Sequence, residues 1–229
     1  AALSASAAAE TCAIPAGTSF PTATWEQLDL AASGWSMPGL AEAGRLADEA
    51  GYTALVVSQG GRLVYTSGDP AKPENVRSIR KSLLNAVIGQ LVAEGKLSLD
   101  WTLEQIGIDD VPPLTPEERK ARIGDLLMSR SGIYHEAAYV ASSRGRPARG
   151  SYAPGAHFYY NNWDFNALGS IVHGAERRSL FESFDARIAK PLAMQDFSVA
   201  EGTEYRYEDQ SLHPAYLFWM AARDLARFG

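Results

Sequence analysis

One cysteine, Cys12, stands among the 229 residues. A single thiol cannot close an internal disulfide, and no Cys-x-x-Cys pair or His/Cys ligand spacing for zinc occurs. The four histidines, His135, His157, His173 and His213, are scattered without an HExxH spacing, so they read as structural or surface residues. No apolar run reaches the roughly 18 residues that a membrane-spanning helix needs. Basic residues form no long stripe, and the formal net charge is −6, which gives a nucleic-acid role no support. The three arginines of RGRPARG, Arg144 to Gly150, read as a solvated, Gly/Pro-punctuated loop. There is no G-x-S-x-G elbow, no phosphate-binding loop and no dinucleotide fingerprint.

What is present is the composition of an ordinary globular chain, 46% apolar and 21% charged, with length enough for an ample core. The opening AALSASAAAETC is rich in small residues, like the stretch around a signal-peptidase site, though without a signal's charged and apolar parts; an exported protein, periplasmic or secreted, is expected, and a disordered cytosolic tail would have the same composition. Residues 1–35 show little periodicity and read as a tail and lead-in to a domain over 36–229. Leu40, Ala43, Leu46, Ala47 and Ala50 predict a helix over 37–50 that ends at Gly51. TALVVSQ and RLVYTS, split by Gly60-Gly61, predict a hairpin with a two-residue turn. From Ser78, apolar residues recur at three and four, from Ile79 through Leu83, Leu84, Val87 and Ile88 to Leu91 and Val92, which predicts a buried helix stopping at Gly95. Thr115, Pro116 and Glu118 form a capping-box start, so a helix is expected from there to just before Ser131-Gly132. Helices are also expected over 166–176 and 180–189 and from AARDLARF onward, so the layout is two early strands and then a long helical region.

Ser78-Ile79-Arg80-Lys81 places a lysine one helical turn after a serine, at the head of that apolar helix. A serine hydroxyl is a weak nucleophile and needs a base within hydrogen-bond reach; a partly desolvated lysine can serve. The helix start also offers N–H groups and a positive dipole to an oxyanion. The same tetrapeptide is what a serine N-cap followed by a surface lysine would give. A second element, Tyr160-Asn161-Asn162, lies in APGAHFYYNNWDFNALGSI. A phenol near cations can relay a proton, and an asparagine amide can accept from a lysine while donating to a substrate. As an alternative, this is an aromatic loop packed before a helix.

Taken in order, S-x-x-K-S, LSLD, DLLMSRSG and PG-x-x-F-x-Y-x-N-x-x-x-x-x-L-G resemble the serine β-lactamase and penicillin-binding-protein superfamily, class C branch. That branch includes D-Ala-D-Ala carboxypeptidases, family VIII esterases and 6-aminohexanoate-oligomer hydrolases. GQLVAEGKLSLDWTL, IGDLLMSRSGI and FWMAARDLARFG are similar to further segments of it, and the likeness runs from about Leu55 to Gly229. The resemblance implies an α+β fold of the β-lactamase/transpeptidase type: a helical region plus an antiparallel sheet with flanking helices. It implies a metal-free serine hydrolase without cofactor, acting through an acyl-enzyme on a small-molecule ester, amide or β-lactam. Ser78 matches the acylated serine, Lys81 the lysine that activates it, Tyr160 the tyrosine that shares the proton work, and Asn162 the residue that orients substrate and lysine. The F-x-Y-x-N register selects Tyr160 over the adjacent Tyr159. Nothing specific to β-lactams stands out, so a carboxylesterase or amidase is expected before a dedicated β-lactamase.

The superfamily's third motif, K-T-G or H-x-G on a late strand, has no counterpart in this chain. The lone hairpin would also leave a sheet edge unpaired. Residues beyond Gly229, on the same precursor or a partner chain, are therefore expected to be needed for native function. The absent triplet also keeps open a second reading, a non-catalytic binding or scaffold protein on the same fold.

Overall fold

In a computed structural model, residues 14–140, 144–207 and 209–229 are described. Cys12 and the Ala-rich opening, on which the expectation of export rests, lie outside them. The chain forms two compact units, the first running to Pro70 and the second from Ala71 to Phe228.

In the first unit a single turn, α1 (Leu30–Ser33), is capped by Asp29. Helix α2 (Met37–Glu49) is capped by Ser36, with Pro38 in its first turn, as its periodicity required. Strands β1 (Ala54–Gln59) and β2 (Arg62–Gly68) pair antiparallel, with Gln59 facing Arg62 across the turn. Gly60 and Gly61 both have positive φ, at 56° and 77°. Two consecutive left-handed residues are what a turn matched to strand twist needs, and glycine adopts them at no steric cost.

The second unit is built around α3 (Arg80–Ala93) and α6 (Trp163–Glu176). Leu83, Leu84, Val87, Ile88 and Leu91 of α3 join Trp163, Ala167, Leu168, Ile171 and Val172 of α6 in one buried cluster. Strand β3 (Glu74–Asn75) leads into α3 and pairs with β6 (Trp219–Met220). Short helices α4 (Leu103–Ile106), α5 (Ile123–Leu127) and α7 (Leu180–Phe184) cover the cluster. A π-helical turn, Asp185–Ala189, extends α7, and α8 (Ala222–Phe228) follows β6. Helices beside small antiparallel sheets make the fold α+β, as expected.

Two expectations are corrected. The helix expected from Thr115 to before Ser131 is broken. Its cap forms, with Thr115 N–H donating to Glu118 Oε2 at 2.8 Å and Glu118 N–H to Thr115 Oγ1 at 3.2 Å. Only the 3-10 turn Glu118–Lys120 follows, and helix resumes at α5. The interruption has a tertiary cause: Leu103 N–H donates to the Ala121 carbonyl at 2.9 Å and Ile123 N–H to the Trp101 carbonyl at 3.1 Å, so 121–123 is drawn out as a strand-like partner of 101–103. Second, the region after α7 is not all helical. Strands β4 (Thr203–Tyr207) and β5 (Ser211–Leu217) form a hairpin. Every residue of β5 except Leu212 is buried, so no alternation advertises it, and Pro214 in its middle argues against a strand.

Asp224, at the start of α8, is fully buried and accepts three backbone N–H groups: Gln195 at 2.8 Å, Asp196 at 2.9 Å and Phe197 at 2.8 Å. It clasps the turn after the π-helical segment to the last helix. Asp224→Ala leaves three donors without their acceptor and should lower unfolding free energy by about 3 kcal/mol or more. Urea denaturation checks this, and a loss below about 1 kcal/mol would show that the clasp is dispensable.

Candidate active site

Ser78 lies in a 3-10 turn, Arg77–Ile79, immediately before α3. Its hydroxyl caps neither the turn nor the helix, which sets aside the reading of Ser78 as a mere N-cap. Arg77, directly before it, has φ +50°, a left-handed conformation that costs a non-glycine residue on the order of 1 kcal/mol. Asn75 holds the bend, its side-chain oxygen accepting from Arg77 N–H at 2.9 Å. The strained turn leaves Ser78 and Ile79 exposed, while Arg80 and Lys81, two and three residues after the serine, point into the protein.

Tyr160 and Asn162 arrive from the far side of the unit. The loop that carries them is stitched to the Ser129–Gly132 segment: Gly155 N–H donates to the Arg130 carbonyl at 2.8 Å and Tyr159 N–H to the Ser129 carbonyl at 2.9 Å. Gly132, at φ +74°, packs so closely that a Cβ there would sit 2.7 Å from the Tyr152 carbonyl oxygen. Only glycine fits, which explains the Ser-Gly of the SRSG run.

All four residues singled out from sequence meet at one point. Tyr160 Oη donates to Ser78 Oγ at 2.7 Å, and Lys81 Nζ donates to the same oxygen at 3.2 Å. Lys81 also donates to Asn162 Oδ1 at 2.9 Å, and Asn162 Nδ2 donates to the Tyr139 carbonyl at 2.6 Å. Burial, followed by the neighbouring Arg80 charge, lowers the Lys81 pKa below the usual lysine range. Burial pushes the Tyr160 phenol up, but its contacts with Ser78 and Lys81 and the charges of Lys81 and Arg80 outweigh that and leave it lowered. Both groups are thus moved toward the protonation states a base needs, a neutral amine and a phenolate. The trio opens onto a cavity of about 900 Å³ lined by Arg77, Tyr139, Tyr160, Asn162 and Tyr207 among others, ample for a small-molecule substrate.

Sequence reasoning missed three supports of this site. Arg80 is buried beside Lys81. Arg77 donates through its guanidinium to the Tyr139 hydroxyl. Asp110 sits beneath the cavity floor and accepts from His135 Nδ1 at 3.1 Å, Trp163 Nε1 at 2.5 Å, Ser211 Oγ at 2.9 Å and Leu212 N–H at 2.7 Å. Burial opposes ionisation of Asp110, yet these donors prevail and bring its pKa to about 2. His135 and His213 are both buried, and His135 also lines the cavity.

A family model described as Beta-lactamase matches residues 36–229. The structure is similar to that of SurE (TM-score 0.61, 20% identity), covering 83% of this chain and 52% of that one. It is similar to an octameric penicillin-binding protein homologue from Pyrococcus abyssi (TM-score 0.60, 22% identity, 85% and 55% coverage). A class C beta-lactamase matches likewise (TM-score 0.60, 17% identity, 86% and 65% coverage). The chain thus spans between half and two thirds of the length of these three structures. No curated protein matches it in sequence.

Asp164 follows Asn162 by two residues and is fully buried. Ser131 Oγ donates to its Oδ1 at 2.6 Å, while among the described residues Oδ2 meets no close donor. Burial raises its pKa to about 7. An acid whose folded pKa lies above its unfolded value contributes stability below about pH 4 that is lost as pH rises to about 7. Asp164→Asn should therefore flatten the fall in stability between pH 4 and 7 and leave the variant the more stable at pH 8. The difference at pH 8 is about 4 kcal/mol at most. Thermal unfolding across that range tests it; an unchanged slope would mean that Asp164 stays ionised in the fold.

Proposed function

Because the chain belongs to the Beta-lactamase family, we propose that it is a serine hydrolase that forms an acyl-enzyme on Ser78. The observation that carries this reading is the convergence of Lys81 and Tyr160 on one serine oxygen. Some eighty residues of chain separate Tyr160 from the other two, so local structure alone does not produce the contact.

In the acylation step Ser78 Oγ attacks the carbonyl carbon of an ester or amide. Its proton passes to the Tyr160–Lys81 pair, and the former carbonyl oxygen takes the negative charge. Collapse of the tetrahedral species breaks the bond to the leaving group, which takes the proton from the same pair. Water then attacks the acyl-serine, gives its proton to that pair and releases the acid, with the proton returned to Ser78. Asn162, anchored on the Tyr139 carbonyl, holds the lysine in line throughout. The substrate class we favour is a carboxylic ester or an amide such as a D-amino-acid peptide, with a β-lactam as a further acyl donor. The cavity of about 900 Å³ beside Ser78 supports a small-molecule acyl donor. The small-residue opening supports a periplasmic or secreted location.

A fluorophosphonate adduct should map to Ser78 by mass spectrometry. In the complete protein, Lys81→Ala and Tyr160→Phe should each lower ester turnover by about 10³-fold or more, and the double variant should be little worse than either, because the groups act as a unit. Adducts on Ser82 or Ser131, or turnover surviving in Ser78→Ala, would sink the proposal.

A further inference from the structure

The S-x-x-K tetrapeptide has an arginine in its third position, and that arginine is buried, only 3% exposed. With Arg77 and Lys81 it brings three basic side chains to the start of α3, whose first turn holds no acid. Cations at the positive end of a helix dipole are unfavourable. Among the described residues none of the three forms a salt bridge with a carboxylate. Arg80 Nη2 instead donates to Asn166 Oδ1 at 3.3 Å, one turn along α6 from the Asn162 that receives Lys81.

The two asparagines are fixed in the same way. Asn162 Nδ2 donates to the Tyr139 carbonyl at 2.6 Å and Asn166 Nδ2 to the preceding carbonyl, Ala138, at 3.2 Å. Each amide nitrogen is held by a backbone oxygen, so each amide oxygen faces a cation. The pairing positions Arg80 and Lys81 without neutralising them. A buried guanidinium whose one hydrogen bond among the described residues is to an amide is costly, and its field at short range through protein is strong.

We propose that Arg80 is a positioning residue of the reaction, a deliberately unneutralised charge that favours a neutral amine on Lys81 and an anionic phenol on Tyr160 when Ser78 loses its proton. The inference rests on the acyl-transfer reading above. Its support is the geometry of the two rungs, and the direction of both neighbours agrees: after burial, Arg80 is what lowers Lys81, and it also lowers Tyr160. Other titratable or charged groups around this end of α3 are Tyr139 and Arg77, joined by a hydrogen bond, and His135, Glu136, Arg146, Tyr159 and Tyr207 along the cavity wall; Asp164 on α6 is bonded to Ser131.

The test is the pH dependence of kcat/KM for a neutral p-nitrophenyl ester, measured on the complete protein. Whether lysine or tyrosine is the base, removing the Arg80 charge raises the pH at which that base becomes free. Arg80→Gln should move the acidic limb up by roughly one pH unit. Asn166→Asp keeps the arginine and neutralises it, and should move the limb the same way. Arg80→Lys keeps the charge and should leave the limb near its original place. Limb position does not depend on how much of a variant is folded, and Asn166→Asp carries the test if Arg80→Gln is poorly soluble. A limb that stays put in both charge-altering variants overturns this inference alone. A parent protein that neither turns over ester nor labels at Ser78 overturns the acyl-transfer reading, and this with it.

Discussion

The packing of α3 against α6 is the constraint from which the site follows. Beyond their first turns, α3 offers Leu83, Leu84, Val87, Ile88 and Leu91, and α6 offers Ala167, Leu168, Ile171 and Val172, to one buried cluster. That apolar seam fixes the two helix starts side by side. Whatever lies in the first turns is then forced together, and those turns hold Arg80 and Lys81 on one helix and Asn162, Asp164 and Asn166 on or beside the other. The polar chemistry is the exposed end of a hydrophobic contact. Its precision comes from the close packing beneath it.

Around this seam, buried carboxylates bind loops in place by accepting backbone and side-chain donors. Asp110 joins its own loop to His135, Trp163 and β5, and Asp224 ties the 195–197 turn to α8. The cations at the start of α3 are treated in the opposite way. Arg80 and Lys81 meet amide oxygens and Arg77 a phenol hydroxyl, so among the described residues no carboxylate pairs with them. The amides leave a positive field beside Ser78, the place where the proposed acyl transfer would generate anions. The strained Arg77 belongs to the same pattern, since local cost at a reactive turn is tolerated when the surrounding core over-determines it.

Much of this was readable before the structure. The spacing of Ser78 and Lys81 is three residues, so helix geometry alone puts them on one face. The resemblance supplied Tyr160 and Asn162, and the structure brings both to Lys81 and Ser78. The Thr115–Glu118 cap was legible because a cap is written in four consecutive residues. The helix beyond it was not, because its break at Ala121 is caused by residues 101–103, which local propensity does not see. The late hairpin was missed for a related reason: a strand buried on both faces shows no period of two, and Pro214 obscured what remained.

The sequence by itself determined the elements whose cause is local: α2 and its serine cap, the Gly60-Gly61 hairpin, the apolar stripe of α3 and the one-turn separation of Ser78 from Lys81. It also carried the motif order that marks the family. Tertiary structure alone decided which charges would be neutralised. Arg80 looks in sequence like any surface arginine, and Asn166 like any helical asparagine. Their partnership depends on the crossing of two helices whose contacting residues lie 86 positions apart. Burial then turns an ordinary guanidinium into a strong field, because the work of desolvating a charge, and its reach once desolvated, belong to the surroundings and not to the residue.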